Sequence, residues 1–375
     1  MTALMLVGLL ALLGLPVVAS MQSYHGLDSS ATPPLAPDPI MVEPRQAPPL
    51  LREGLALGLG QSDEFDSAEA AGSSVLFDPG NYRMWYYGRS LAGGSIGLAT
   101  SPDGRSWRKL GVVITPSLPA EAGGFIAYPE VIEVAAEYHM WYSGYDGFNF
   151  RILAAVSADG MSWQKLGVVV DLGVPGAPDD YYVFEPTVVF RDGTYYMWYT
   201  ASSSANPSGR HIMFATSTDG ISWAKRGVVL QAGPPGSMDD QRVLDPSVRW
   251  TGNRYVMIYA GQETTTGLQR LFWAESSDGM GWTRLGVALD VASPNETELS
   301  MPALLLGPGK TWSVYYSARS RPFQPSFQIF LAIGTVPPLG RCGPPWPWPP
   351  GPTSGLQCPV SRQDRPPGTS SHSPW

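Results

Sequence analysis

One turn occurs four times in this chain and constrains its fold more than any other feature. Ser101-Pro102-Asp103-Gly104 is followed by Trp107, and Ser157-Ala158-Asp159-Gly160 by Trp163. Ser217-Thr218-Asp219-Gly220 is followed by Trp223, and Ser276-Ser277-Asp278-Gly279 by Trp282. The four Asp stand 56, 60 and 59 residues apart. Asp-Gly is a hairpin signal because Gly takes the positive φ that a tight turn needs. Its return at a nearly fixed period marks a repeat architecture.

Each turn is preceded by a short apolar strand, as in Ile96-Gly97-Leu98-Ala99, and followed by a Gly-Val-Val type strand, as in Gly111-Val112-Val113. Upstream lies an aromatic strand in five copies, not four: Met84-Trp85-Tyr86-Tyr87, Met140-Trp141-Tyr142-Ser143, Met197-Trp198-Tyr199-Thr200, Met257-Ile258-Tyr259-Ala260 and Val314-Tyr315-Tyr316-Ser317. A further strand precedes each of these. One unit is therefore four consecutive antiparallel strands, the form of a propeller blade. The fifth unit lacks the turn and runs from Ile329-Phe330-Leu331-Ala332 into Pro337-Pro338. Its missing strand has a counterpart at the front, where Arg52-Glu53-Gly54-Leu55-Ala56-Leu57 reads like Lys165-Leu166-Gly167-Val168-Val169-Val170. The expectation is an all-β, five-bladed β-propeller over 52–336. Its four-stranded antiparallel blades would be closed into a ring by the N-terminal strand, which hides two open edges.

The flanks read differently. Residues 1–19 are almost wholly apolar and end in small residues, the pattern of a secretory signal peptide, although no Lys or Arg precedes the run. An uncleaved membrane anchor is the alternative, and only that reading brings a membrane into contact with the chain. Export, as a secreted monomer, is the expectation. Residues 20–51 form a Pro/Ser-rich linker and 337–375 a Pro-rich tail that cannot enter a sheet. Cys342 and Cys358, the two cysteines, both fall in that tail.

A net charge of −8 disfavours a nucleic-acid partner. The four His have no metal-ligand spacing, so neither a metal nor another cofactor is expected. No phosphate-binding or dinucleotide Gly motif and no Gly-x-Ser-x-Gly is found.

Propeller ligands bind at a mouth of the central funnel, so the residues entering each innermost strand are the ones to inspect. Aligned, these are Gly72-Ser73-Ser74-Val75, Tyr128-Pro129-Glu130-Val131, Glu185-Pro186-Thr187-Val188, Asp245-Pro246-Ser247-Val248 and Met301-Pro302-Ala303-Leu304. Together with the aromatic strands and the Ser-x-Asp-Gly-x-x-Trp hairpins, they resemble the five-bladed propeller glycoside hydrolases. That superfamily includes the family 43 arabinanases and xylosidases and the family 32 and 68 invertases and levansucrases.

The resemblance implies catalysis by carboxylates of the first three blades, one protonating the leaving oxygen and another activating water or attacking the sugar. By position it assigns Glu185 the acid role, with one residue fewer between Glu and Pro than the family commonly has. Glu130 falls where the family usually has Asp, and is expected to tune the acid. Asp245 lies on a fourth-blade motif similar to the family's first-blade Asp-Pro. The first blade offers only Gly72 and Ser73, so Asp66, ahead of Glu69, is the candidate for its missing acid. Asp66 also has a structural reading, since counting back six residues gives Asp179, Asp239 and Asn295 in other blades, a pattern suited to turn capping.

Arg89, Tyr145, Asp146, Glu263 and Arg319 follow second strands and are the candidate sugar-binding residues. A carbohydrate substrate or glycan ligand is the expected partner. The main reading is hydrolysis or transfer of glycosidic bonds in a furanoside or related sugar. The alternatives are a non-catalytic carbohydrate-binding propeller that has lost the first-blade acid, and a sugar phosphorylase, which needs a basic phosphate pocket.

Overall fold

The structure is a computed structural model that describes residues 50–335 apart from Pro79, Pro294, 308–310 and 321–323. The expected leader, nearly all of the linker, and the tail with Cys342 and Cys358 lie outside the described residues.

The described residues are all-β, with one short 3-10 turn at Pro119–Glu121. Strand β1 (Leu51–Leu57) leads into a first unit of β2 (Glu69–Asp78), β3 (Asn81–Ser90), β4 (Gly93–Ser101) and β5 (Arg108–Ile114). The second unit holds β6 (Phe125–Val134), β7 (Glu137–Tyr145), β8 (Phe150–Ser157) and β9 (Gln164–Val170). The third holds β10 (Tyr182–Arg191), β11 (Thr194–Ser203), β12 (Asn206–Ser217) and β13 (Ala224–Leu230). The fourth holds β14 (Arg242–Trp250), β15 (Tyr255–Gln262), β16 (Gln269–Ser276) and β17 (Thr283–Leu289). The last has β18 (Glu296–Gly307), β19 (Thr311–Ser320) and β20 (Gln324–Thr335).

Within every unit, consecutive strands pair antiparallel. Strand β1 pairs antiparallel with β20, Leu51 opposite Ile333 and Leu57 opposite Ile329, so it supplies the fourth strand of the last unit.

The repeated turn works as its residues suggest. Asp103 Oδ1 accepts the N–H groups of Arg105 and Ser106 at 2.8 and 2.9 Å, and Gly104 takes φ 71°. The Gly carbonyl then receives a donor from the neighbouring unit. Trp85 Nε1 donates to Gly160 O at 2.8 Å, Trp141 to Gly220 O at 2.9 Å, and Trp198 to Gly279 O at 2.8 Å. Tyr315 of the last unit donates to Gly104 O of the first at 2.8 Å. These aromatics are buried, and the apolar clusters they join draw on adjacent units: Trp85, Ile96 and Leu98 pack with Val131, Met140 and Leu153. Likewise Val75 and Met84 pack with Leu305, Tyr315 and Leu331.

A second repeated device is a buried acid held by a Tyr and a cation. Asp66 accepts from Tyr86 at 2.9 Å and pairs with Lys109 at 2.6 Å. Glu121 accepts from Tyr142 at 2.8 Å and pairs with Lys165 at 2.6 Å. Asp179 meets Tyr199 at 3.5 Å and Lys225 at 2.6 Å, and Asp239 meets Tyr259 at 3.0 Å and Arg284 at 2.9 Å. In the last unit Glu296 pairs with Arg52 at 2.9 Å, and Arg52 also donates to Tyr316 at 3.1 Å. Each cation stands opposite an alanine of the third strand: Ala99, Ala155, Ala215, Ala274 and, for Arg52, Ala332. Arg52 on β1 thus occupies the fourth-strand place of its unit. The repeat contains Glu121 and Glu296, not Asn295 as the six-residue count suggests.

Candidate active site

Five residues at one level of the first strands share a left-handed backbone: Gly72 (φ 51°), Tyr128 (54°), Glu185 (55°), Asp245 (53°) and Met301 (50°). Each sits in a register break between first and second strands. Such a bulge turns a side chain out of the sheet's alternation. Pro129, Pro186, Pro246 and Pro302 follow four of them, and a residue without N–H suits a position that the ladder leaves unpaired. A left-handed non-glycine residue costs about 1–2 kcal/mol, so four at one level need external support.

That support is visible. The N–H groups of Gly72, Glu185 and Asp245 donate to Ser317 Oγ (3.1 Å), Ser143 Oγ (2.9 Å) and Thr200 Oγ1 (3.0 Å) of the adjacent unit. The Met301 N–H donates to Asp245 Oδ2 at 2.9 Å. The result is one cavity lined by Gly72, Tyr128, Glu130, Glu185, Asp245 and Met301, among others.

Glu185 and Asp245 are buried next to one another, the Asp245 N–H donating to Glu185 Oε2 at 3.2 Å. Burial, and then the negative charge of Asp245, push the Glu185 carboxyl well above its ordinary range, with Arg210 acting in the opposite sense. Asp245 Oδ2 accepts from Ser300 Oγ at 2.5 Å as well as from Met301, whereas Oδ1 is buried with no hydrogen-bond partner. The Tyr128 phenol is pushed well up by burial and then by both carboxylates. One carboxyl biased to keep its proton and a neighbour with a free oxygen are the elements of acid–base work.

Glu130 shares the cavity but is heavily bound. Its oxygens accept from Ser74 Oγ and Thr187 Oγ1, both at 3.3 Å, and from Arg249 at 3.0 Å. Arg249 comes from β14, across from β6. Asp66 is not brought to the cavity lining, being held by Tyr86 and Lys109. Glu69 pairs with Arg89 at 3.0 Å.

The other sugar-binding candidates also lie outside the lining. Arg319 pairs with Glu298 and covers the Phe327 ring at 4.7 Å, while Tyr145 donates to Gly147 O at 2.7 Å. Asp146 caps the Phe148 and Asn149 N–H groups at 2.8 Å, and Glu263 pairs with Arg270 at 3.3 Å. Phe150 packs against Phe125, Tyr182 and Phe184 at 5.5–5.7 Å, an aromatic cluster drawn from the second and third units. Sequence reasoning passed over Tyr128, although it opens the quoted Tyr-Pro-Glu-Val.

The description "Glycosyl hydrolases family 32 N-terminal domain" fits residues 130–310. An uncharacterized protein of Mycobacterium tuberculosis (strain CDC 1551 / Oshkosh) is 28% identical over 260 residues, which span 65% of this chain and 76% of that one. A 1,2-beta-oligomannan phosphorylase of Thermoanaerobacter sp. (strain X514) is 24% identical over 122 residues, 29% of this chain and 40% of that one. One solved structure belongs to the GH130 family of mannoside phosphorylases, described as containing glycoside hydrolases that target beta-1,2 mannosidic linkages in Candida mannan. It superposes with a TM-score of 0.64 at 15% identity, over 77% of this chain and 94% of its own. The chain has the fold of the β-propeller glycoside hydrolase superfamily. Within it, the fold is the one common to the hydrolases and phosphorylases of families 32, 130 and 43.

Proposed function

We propose that the five units are blades of one ring closed by β1, and that the cavity at their inner strands cleaves or transfers glycosidic bonds. Support for the ring comes from the links between first and last units, Tyr315 to Gly104 and Gly72 to Ser317, and from Arg52 in the fourth-strand place. The observation that carries the reaction is the buried Glu185–Asp245 pair, with Glu185 biased toward its protonated form.

In this reading Glu185 gives its proton to the leaving oxygen. Asp245 Oδ1 takes a proton from the incoming hydroxyl as that oxygen bonds to the anomeric carbon and the glycosidic C–O bond breaks. Asp245 thereby fills the role that the first blade, with Gly72 and Ser73, leaves empty. Glu130 and Arg249 brace the inner strands beneath. The names of the relatives make β-1,2-linked mannosides the first substrates to try, followed by arabino-, xylo- and fructosides. The apolar leader over 1–19 supports export, so the substrate is an extracellular glycan.

General acid catalysis contributes about 10²–10⁴-fold. Glu185→Gln should therefore lose that much on an ordinary glycoside, and far less on an aryl glycoside whose leaving group departs without a proton. Equal losses on both would remove Glu185 from the acid role. The missing first-blade acid favours a second reading, a glycan-binding propeller without turnover. Saturable binding of a glycan that wild type never cleaves would decide for it.

A further inference from the structure

Arg210 and Arg242 stand apart from Arg249, Arg270 and Arg319. Arg249 holds Glu130, Arg270 holds Glu263 and Arg319 holds Glu298. Neither Arg210 nor Arg242 makes an ion pair or a hydrogen bond among the described residues, and the Nε of each is buried without a partner. Arg210, on β12, lies with its guanidinium 4.9 Å from the Phe184 ring centroid, one residue before Glu185. Arg242 opens β14, three residues before Asp245. Ser202, opposite Arg210 in register, likewise has a buried hydroxyl without a partner.

Both arginines are part-buried, and the Nε of each is a buried donor left without an acceptor, which is costly unless something negative meets it. Burial, and then the charge of Arg210, lower the proton affinity of Arg242. Arg242 feels the charges of Glu298, Glu185 and Asp245, but none of these acids forms an ion pair with it or with Arg210 among the described residues. Glu298 is already bound by Arg319, and Glu185 is biased to remain protonated. The chain as a whole carries more acids than bases, so the vacancy is not forced by composition.

We propose that Arg210 and Arg242, with Ser202, form an oxyanion subsite beside the Glu185–Asp245 pair. A guanidinium presents a planar fork of donors matched to phosphate and carboxylate oxygens, so the ligand is a group of that chemistry. It is either free inorganic phosphate or the acid group of an acidic sugar. The inference extends the proposed site but does not depend on turnover, because anion binding is measurable without it.

The test is calorimetric titration of the full chain, at constant ionic strength, with inorganic phosphate and separately with glucuronate, using wild type, Arg210→Gln and Arg242→Gln. One of the two anions is expected to bind saturably, and each substitution to weaken its Kd by about tenfold or more. Both variants should melt at or above the wild-type temperature without ligand, since each relieves a cation–cation repulsion. Phosphate as the binding anion assigns the subsite to free phosphate, and glucuronate assigns it to an acidic glycan. No saturable binding of either, or an unchanged Kd in both variants, overturns the subsite even if Glu185-dependent cleavage is intact. Anion binding that persists while Glu185→Gln leaves turnover unaltered overturns the cleavage reading alone.

Discussion

Replacing Glu185 with Gln should stabilise the protein at neutral pH while removing its acid. In the folded chain, burial and Asp245 hold the Glu185 pKa well above its ordinary value of 4.5. Below pH 4.5 the carboxyl is protonated in both folded and unfolded chains, and it contributes no pH dependence. Above that point the unfolded chain releases the proton and the folded chain keeps it. The unfolded state then binds fewer protons, so stability falls as pH rises, by up to about 1.4 kcal/mol per pH unit, until the folded pKa is reached. Gln keeps the shape but cannot titrate, so its profile lacks that slope. The advantage of the variant should be absent near pH 4 and grow by up to about 1.4 kcal/mol per pH unit above the ordinary pKa until the folded pKa is reached. At roughly 2 °C per kcal/mol for a domain this large, the melting curves should separate by roughly 3 °C per pH unit. Thermal melts of both proteins from about pH 4 to about pH 8 measure this directly. Parallel profiles across the range would refute a raised Glu185 pKa. Turnover by wild type should fall only once the pH passes the folded pKa, as the acid loses its proton.

Other perturbations separate structural acids from chemical ones. Asp66→Ala leaves Lys109 and Tyr86 facing a buried vacancy and should cost about 3–5 kcal/mol, with turnover per folded molecule unchanged; lost turnover at an unchanged melting temperature would return Asp66 to the chemistry. Arg249→Met strands Glu130 and should cost about 3 kcal/mol, part of which the double variant with Glu130→Gln should recover in denaturant titrations. Deleting residues 1–58 removes β1 and Arg52 and should lower the melting temperature far more than deleting 1–49; equal melting would disprove closure by β1.

Much of this architecture is legible because it rests on short-range chemistry. Asp103 and Gly104 set their own turn, and the period-2 strands around it leave few other ways to pair. The likeness of Arg52–Leu57 to Lys165–Val170 holds down to the cation, since Arg52 and Lys165 face Ala332 and Ala155 in the same register. Aligning the prolines likewise placed Glu185 and Asp245 at one level, because Pro marks the bulge that aims them. Counting fails where loop length varies. Asp66, Asp179 and Asp239 precede their left-handed residues by six positions, but Glu121 precedes Tyr128 by seven and Glu296 precedes Met301 by five. A fixed offset therefore found three of the five bound acids, missed Glu121, and named Asn295 in place of Glu296. The more dependable marker is the partner, the tyrosine at Tyr86, Tyr142, Tyr199, Tyr259 and Tyr316, which the strand ladder holds in register.

Arg210 and Arg242 were beyond reach for a different reason. What distinguishes them is the lack of a partner, and that depends on how two units meet and on Glu298 being taken by Arg319. In sequence, each is one arginine among many. Only burial separates an idle surface cation from one whose donors have nothing to bind, and burial here is set by strands from different repeats. The same argument holds for Asp245, whose Oδ1 matters because Ser300 and Met301 occupy Oδ2. In the proposed reading, chemistry collects where the repeat supplies a position and a neighbouring unit withholds the partner.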